Sequence, residues 1–189
     1  PSASSAASDV YKRQVKYRDG RKNFKLYKGA EKVFYNINSI VGYDTCVITE
    51  GEMDVLAFHE AGIKNVISVP NGATLTNNNL DYLDNCIDYF EDKEKILLAI
   101  DKDDAGQMLQ QELVRRLGAE VCYLVDFDDC KDANEFLIKY GSEKLSKCIS
   151  EARPVPWKTL QHLKTLKPML LTLSKTVSNL AIKLVSITL

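Results

Sequence analysis

The sequence lacks the features that define several protein classes. Its five cysteines are odd in number and include no C-x-x-C pair, so neither a zinc ribbon nor a disulfide framework is indicated. No run approaches the roughly 18 uninterrupted apolar residues of a membrane-spanning helix, and no charged-then-apolar signal peptide opens the chain. Its 189 residues, 45% of them apolar, suffice for one core-forming domain with appendages. We therefore expect a soluble, intracellular protein with reduced thiols and no membrane partner.

The charge is distributed unevenly along the chain. Residues 1–32 contain nine basic and three acidic side chains, residues 33–157 contain eleven basic and twenty-three acidic ones, and residues 158–189 contain five basic and no acidic ones. A basic arm beside an acidic, metal-binding body suits a polyanionic substrate held against cations. Solvated charged faces would produce a similar pattern, so charge alone does not decide the function.

Local patterns predict an α/β domain between two appendages. Residues 1–14 are low in complexity and read as a non-native or disordered leader, and residues 15–44 form a basic lead-in with two short strands around Asp19-Gly20. Residues 45–152 alternate between predicted strands (46–49, 65–69, 96–100, 121–125) and helices (52–61, 105–117, 132–140), with helical spacing also at 80–90. Such alternation predicts a compact parallel sheet with flanking helices. Residues 153–189 are interpreted as a linker and a tail of doubtful order.

Two acidic clusters stand where a buried strand is followed by a helix. They are T-E-G-E-M-D at 49–54 and D-K-D-D-A-G at 101–106. In open α/β sheets ligands collect at the carboxyl ends of the strands, so Glu50, Asp101 and Asp103 should meet at one edge, with Asp54 one helical turn beyond Glu50. Carboxylate oxygens suit Mg2+ or Mn2+. Either cluster alone is more often helix capping, but both together, in this order, favour a metal site. We expect capping to account neither for Glu50 before a glycine nor for the two aspartates that flank Lys102.

These residues resemble a known family. E-G-E-M-D followed by D-K-D-D-A-G on alternating α/β elements is similar to the Toprim domain of primases, topoisomerases and some nucleases. V-P-N-G-A at 69–73, C-K-D-A-N-E at 130–135 and the lead-in V-K-Y-R-D-G-R-K-N-F at 15–24 resemble the phage-type primase-helicases and the related mitochondrial replicative helicase. The resemblance extends from residue 15 to about residue 157.

The resemblance implies roles for individual residues. Three carboxylates match the catalytic set that binds Mg2+ or Mn2+, namely Glu50, Asp101 and Asp103, and two more match acidic positions that accompany it as metal ligands, Asp54 and Asp132. The basic positions that would engage nucleotide or template are Lys16, Arg21 and Lys22. Lys131 is either a further phosphate contact or a solvated loop lysine.

The resemblance implies the catalytic core fragment of a DNA primase or primase-helicase, which joins ribonucleoside triphosphates into short RNA primers on single-stranded DNA. The helicase domain normally lies in the same chain, and the expected location is the cytoplasm of a bacterial or phage-infected cell. The sequence shows neither a four-Cys zinc ribbon nor a G-x-x-x-x-G-K-[ST] phosphate loop, so we expect no template-sequence recognition or ATP-driven unwinding. Alternatives are a Toprim nuclease or topoisomerase-like strand cleaver, and a non-catalytic nucleic-acid-binding module of a replicative helicase.

Overall fold

A computed structural model describes residues 16–18, 20, 24–26, 28–72 and 80–156. The first two strands, β1 (Lys16–Arg18) and β2 (Phe24–Leu26), pair antiparallel with Tyr17 opposite Lys25. This pairing confirms the predicted two-stranded lead-in.

The body is built on a five-stranded sheet. Its strands are β3 (Thr45–Thr49), β4 (Val66–Ser68), β5 (Lys95–Ala99), β6 (Cys122–Leu124) and β7 (Arg153–Pro154). They lie in the order β4-β3-β5-β6-β7. The first four are parallel, as predicted, whereas β7 runs antiparallel to β6. Sequence reasoning placed this last segment in a linker, because a two-residue strand has no periodicity of its own.

Five α-helices connect or flank the strands in the described residues: α1 (Glu52–Glu60), α2 (Asp81–Asp84), α3 (Asp104–Leu117), α4 (Ala133–Tyr140) and α5 (Ser142–Ser150). Short 3-10 turns occupy Ile37–Ile40 and Ile87–Tyr89. The helical spacing at 80–90 therefore produces two short pieces instead of one helix. The break falls at Asn85, whose side-chain amide donates to the carbonyl of Lys32 at 2.9 Å. No helix in the described part of the chain is long and apolar enough to cross a membrane.

The sheet is buried on both faces, and alternate side chains along each central strand pack into opposite hydrophobic cores. Ile48 and Leu98 join one cluster, with Phe34, Tyr82 and helix α3. Val47 and Leu97 join the other, which includes side chains of α1, α4 and α5. Because both faces are buried, the sequences of the central strands are continuous apolar runs without alternating polar residues.

Helix α3 begins close to the end of β5, and Gly106 makes the approach possible. A Cβ atom placed on Gly106 would lie 2.2 Å from the carbonyl oxygen of Asp101 and 3.2 Å from Cγ2 of Ile100. The first of these atoms belongs to the backbone and cannot rotate away. The absence of a side chain at this glycine of the D-K-D-D-A-G segment therefore allows the acidic loop to pack directly against the helix that follows it.

Replacing Gly106 by Ala should lower the free energy of unfolding by about 1 to 3 kcal/mol, because the added methyl group overpacks against backbone. Helix propensity alone would make the Ala variant more stable than wild type by up to about 1 kcal/mol. A loss of stability would therefore be due to the close approach of the backbone at this position. Urea denaturation measures it. Gly20→Ala is the control, since nothing lies within 4 Å of that position. Equal or higher stability of Gly106→Ala would contradict this account of the loop.

Candidate metal centre

The register of the central strands brings the two acidic segments to one edge of the sheet. Strand β3 pairs with β5 in parallel, with Thr49 opposite Ala99. Glu50 directly follows β3, Asp101 lies two residues beyond Ala99, and Asp54 occupies the first turn of α1. The predicted convergence at the carboxyl ends of the strands follows from this pairing.

A lysine bridges two of the predicted metal ligands. The ammonium of Lys131 lies 3.0 Å from Oδ2 of Asp101 and 3.1 Å from Oδ2 of Asp103. The side chain of Asp101 is only 12% exposed, that of Asp103 is 45% exposed and that of Lys131 is 53% exposed. The pKa of Asp101 is raised, mainly by burial, although Lys131 opposes this shift. The carboxylates raise the pKa of Lys131, which keeps it charged.

The backbone of Lys131 is fixed on both sides. Its N–H donates to Oε2 of Glu135 at 2.7 Å, and its carbonyl accepts the N–H of Lys102 at 3.3 Å. The carboxylate of Asp132 accepts the N–H of Glu135 at 2.8 Å and caps α4. These bonds resemble a capping box, in which an N-cap side chain and a glutamate three residues later satisfy donors at the start of a helix. They join the loop before α4 to the loop after β5.

Asp54 is buried in a negatively charged environment. It is 7% exposed, and its Oδ1 accepts the backbone N–H of Asn134 at 3.2 Å. Burial raises its pKa to about 7, the charges of Asp132 and Asp101 add to this rise, and the N–H groups of Asn134 and Gly51 oppose it. Asp54, Asp101 and Asp132 are thus close enough to repel one another.

Asp103 combines capping with site formation. Its Oδ1 accepts the N–H of Gly106 at 2.9 Å and caps α3, whereas its Oδ2 faces Lys131. The Gly106 N–H and the lysine together lower the pKa of Asp103. The sequence interpretation that capping does not account for the aspartates around Lys102 was wrong for Asp103. Because a carboxylate has two oxygens, capping nevertheless leaves one of them available.

The remaining predicted residues lie in different surroundings. The Glu50 carboxylate points towards the loop after β4, where a Cβ on Gly72 would be 3.6 Å from its Oε1. The Lys16 ammonium pairs at 2.7 Å with Oε1 of Glu52 in the first turn of α1, a partner that sequence reasoning missed because it is 36 positions away. Arg21 and Lys22 lie outside the described residues.

The carboxylates at this edge fit a divalent cation by charge and by donor type. Among the described residues no three His, Cys, Asp or Glu side chains form a ready cage. Mg2+ does not need one, because it takes one or two carboxylates and keeps several waters. Asp101 and Asp103 already converge on one cation, the Lys131 ammonium, and the pKa of Asp54 is raised first by burial and further by the charges of Asp132 and Asp101. A cation at this edge would relieve that repulsion.

Comparison with known proteins agrees with this geometry. Residues 47–137 match the model of a family described as Toprim-like. The chain contains a Toprim-like domain. The acidic edge, with Asp54, Asp101, Asp103 and Asp132, lies within the matched range.

Relatives of the Toprim-like domain carry primase and helicase names. The chain is 37% identical to the primase homolog protein of Arabidopsis thaliana, over 76% of this chain and 48% of the relative. It is 34% identical to the Twinkle homolog protein, chloroplastic/mitochondrial, of the same plant, over 75% of this chain and 22% of the relative. The primase fragment of the bacteriophage T7 primase-helicase protein superposes with a TM-score of 0.59 at 27% identity, over 71% of this chain and 55% of that chain. The chain thus spans less than half the length of each of the two Arabidopsis relatives.

The pKa of Asp54 predicts a pH-dependent effect of removing its charge. The pKa of Asp54 rises from its usual 3.8 to about 7 on folding, so between these values the carboxyl group of Asp54 binds more protons in the folded protein than in the unfolded chain. Its contribution to the free energy of unfolding therefore falls as the pH rises from 4 to 8. Asp54→Asn lacks this titration. Without divalent cations, the stability of the variant relative to wild type should be greater at pH 8 than at pH 4 by about 1 kcal/mol or more.

Urea denaturation at the two pH values, in buffer with chelator, measures this difference. The exposed Asp88 supplies the control Asp88→Asn, which should follow the wild-type pH profile. Parallel profiles for wild type and Asp54→Asn would show that Asp54 is not held in a charge-repelling environment.

Proposed function

We propose that this chain is the catalytic core fragment of a DNA primase of the primase-helicase type, which synthesises short RNA primers on single-stranded DNA. The observation that carries the proposal is the convergence of Asp101 and Asp103 on a single cation at the carboxyl edge of a Toprim-like domain. The primase names of its relatives supply the reaction class.

The carboxylates would hold Mg2+ or Mn2+, with Asp101 and Asp103 as the principal ligands and Asp54 and Asp132 as accompanying ones. When bound, such ions lower the pKa of an attacking 3'-hydroxyl and neutralise charge on the α-phosphate and the leaving pyrophosphate. Glu50 would serve as a ligand or as a proton acceptor near the attacking hydroxyl.

The basic residues would contact the polyanionic substrates, ribonucleoside triphosphates and the single-stranded template. Lys16 pairs with Glu52 of α1, two residues beyond Glu50, so the lead-in lies beside the acidic edge. Arg21, Lys22 and Lys131 would add phosphate contacts, which release counterions from the nucleic acid. A helicase domain in the same full-length chain is part of this proposal, since the T7 and Twinkle relatives are named as primase-helicase and Twinkle proteins.

The division into leader, lead-in, catalytic domain and linker stays a prediction, as does location in the cytoplasm of a bacterial or phage-infected cell. The Twinkle relative is named for chloroplasts and mitochondria, so an organelle is the competing location. Fractionation of cells that express the full-length chain decides between the two.

Metal binding should require Asp101 and Asp103 together. In the Asp101→Asn, Asp103→Asn double variant, Mn2+ affinity should fall at least about tenfold, because a lone carboxylate holds such an ion weakly in water. Asn retains N-cap competence at position 103, so the fold should survive. Isothermal titration with Mn2+ measures the change. The control is the double variant Asp88→Asn, Asp92→Asn, which removes the same amount of charge from the segment before β5, at the opposite edge of the sheet. This control should bind Mn2+ like wild type. Equal losses of affinity in both double variants would reject the site.

Primer synthesis should depend on Glu50. With Mn2+, ribonucleoside triphosphates and a single-stranded template at high concentration, we expect weak dinucleotide synthesis, and Glu50→Gln should reduce it at least about a hundredfold by removing a charge used for metal binding or proton transfer. Radiolabelled product on a gel measures the rate. Glu60→Gln, at the exposed end of α1, should leave it unchanged.

The same assay separates the alternatives. Cleavage of the template without synthesis would favour the nuclease or topoisomerase-like function, and binding with neither reaction would favour the non-catalytic module. Full synthesis by Glu50→Gln would remove that carboxylate from the mechanism.

A further inference from the structure

The loop before α4 carries a positive charge directly onto the predicted metal ligands. Lys131 Nζ contacts one oxygen of Asp101 and one of Asp103 at 3.0 and 3.1 Å. Both contacted atoms are Oδ2, and the other oxygen of Asp103 is engaged by the N–H of Gly106. The ammonium therefore occupies the oxygen of Asp103 that capping leaves available for a metal ion.

The chain anchors the base of this lysine and leaves its end exposed. The backbone of Lys131 is held by Glu135 and by the N–H of Lys102, whereas the side chain is about half exposed. A flexible four-carbon stem on a fixed backbone lets the ammonium leave the carboxylates without unfolding the loop. Of the two contacts, the one with Asp103 joins side chains that are both about half exposed, and exposed ion pairs are weak, so a divalent cation can displace the lysine.

We propose that Lys131 is a tethered counter-cation, which neutralises Asp101 and Asp103 when no metal is bound and which an incoming divalent cation must displace. The proposal rests on the proposed metal site. Lys131 thereby weakens metal affinity, and the displaced ammonium becomes available to phosphate. A Mg2+–triphosphate complex, which supplies the replacement cation and a phosphate partner for the lysine together, is the class of ligand that this exchange favours over the free ion.

The lysine contact predicts that removing the charge strengthens metal binding. In Lys131→Met, which keeps the length of the side chain, the dissociation constant for Mn2+ should fall about fivefold relative to wild type at constant ionic strength. Lys131→Arg retains the charge and should bind no more tightly than wild type. Lys139→Met is the matched control, because Lys139 is similarly exposed and pairs with Asp129 away from Asp101 and Asp103. It should change the constant less than about twofold.

The melting temperature provides a second test that is independent of the binding titration. Saturation with a ligand of the folded state raises the melting temperature according to affinity, so a fixed Mg2+ concentration should raise the melting temperature of Lys131→Met more than that of wild type. A purely structural role for Lys131 would lower the melting temperature of the variant with and without Mg2+ by equal amounts, which would overturn the proposal.

The outcomes also separate this inference from the proposed function. If Mn2+ binding requires Asp101 and Asp103 but is unchanged or weakened in Lys131→Met, the counter-cation is rejected and the metal site stands. An equal gain in Lys131→Met and Lys139→Met would reject it too, since the effect would then be general electrostatics. If the triple variant Asp101→Asn, Asp103→Asn, Lys131→Met binds Mn2+ as tightly as Lys131→Met does, the metal lies elsewhere and both proposals fail.

Discussion

The parallel pairing of β3 with β5 is the constraint on which the site depends. Because Thr49 lies opposite Ala99, the chain leaves the sheet at the same edge in both strands, and each exit leads into an acidic segment. Gly106 then lets α3 begin against the carbonyl of Asp101, where any Cβ atom would clash. The loop after β5 is consequently short and closely packed, which restricts where Asp101 and Asp103 can place their oxygens.

Placing several carboxylates at one partly buried edge of the sheet is unfavourable, because the charges lose hydration and repel one another. Asp54 shows it most clearly, since burial and two neighbouring aspartates raise its pKa to about 7. The protein offsets part of this cost with backbone N–H donors and with the Lys131 ammonium. The compensation comes from one half-exposed side chain instead of a fixed ion pair in the core. This exposure is the basis of the proposed exchange of the lysine for a divalent cation.

Helix capping and contact with a cation are compatible in one aspartate. Asp103 uses Oδ1 for the first turn of α3 and presents Oδ2 to the Lys131 ammonium, and Asp132 caps α4 while its charge acts on Asp54. The capping bond from the Gly106 N–H to Oδ1 restrains the carboxylate of Asp103 and helps to orient its second oxygen towards Lys131. A capping bond at an N-terminal aspartate therefore does not exclude a second role for the same carboxylate, so the two explanations weighed from the sequence can both apply to Asp103.

The sequence alone determined the elements whose signals are local. Apolar runs marked β3 and β5, and helix-ending glycines marked the end of α1 and of α3. The two acidic segments were expected at one edge of the sheet because parallel strands share a direction, and the register of β3 and β5 brings them there. The sequence did not reveal β7, which at two residues is too short to show a period. It also missed α5, although Leu145, Cys148 and Ile149 have helical spacing and pack into the core. Tertiary structure alone decided that Lys131 lies on Asp101, that Lys16 pairs with Glu52, that Asp54 is buried, and that Glu50 points towards Gly72. Local patterns act within one helical turn, whereas these contacts join segments about 20 to 80 residues apart, and only the order of strands in the sheet brings such segments together.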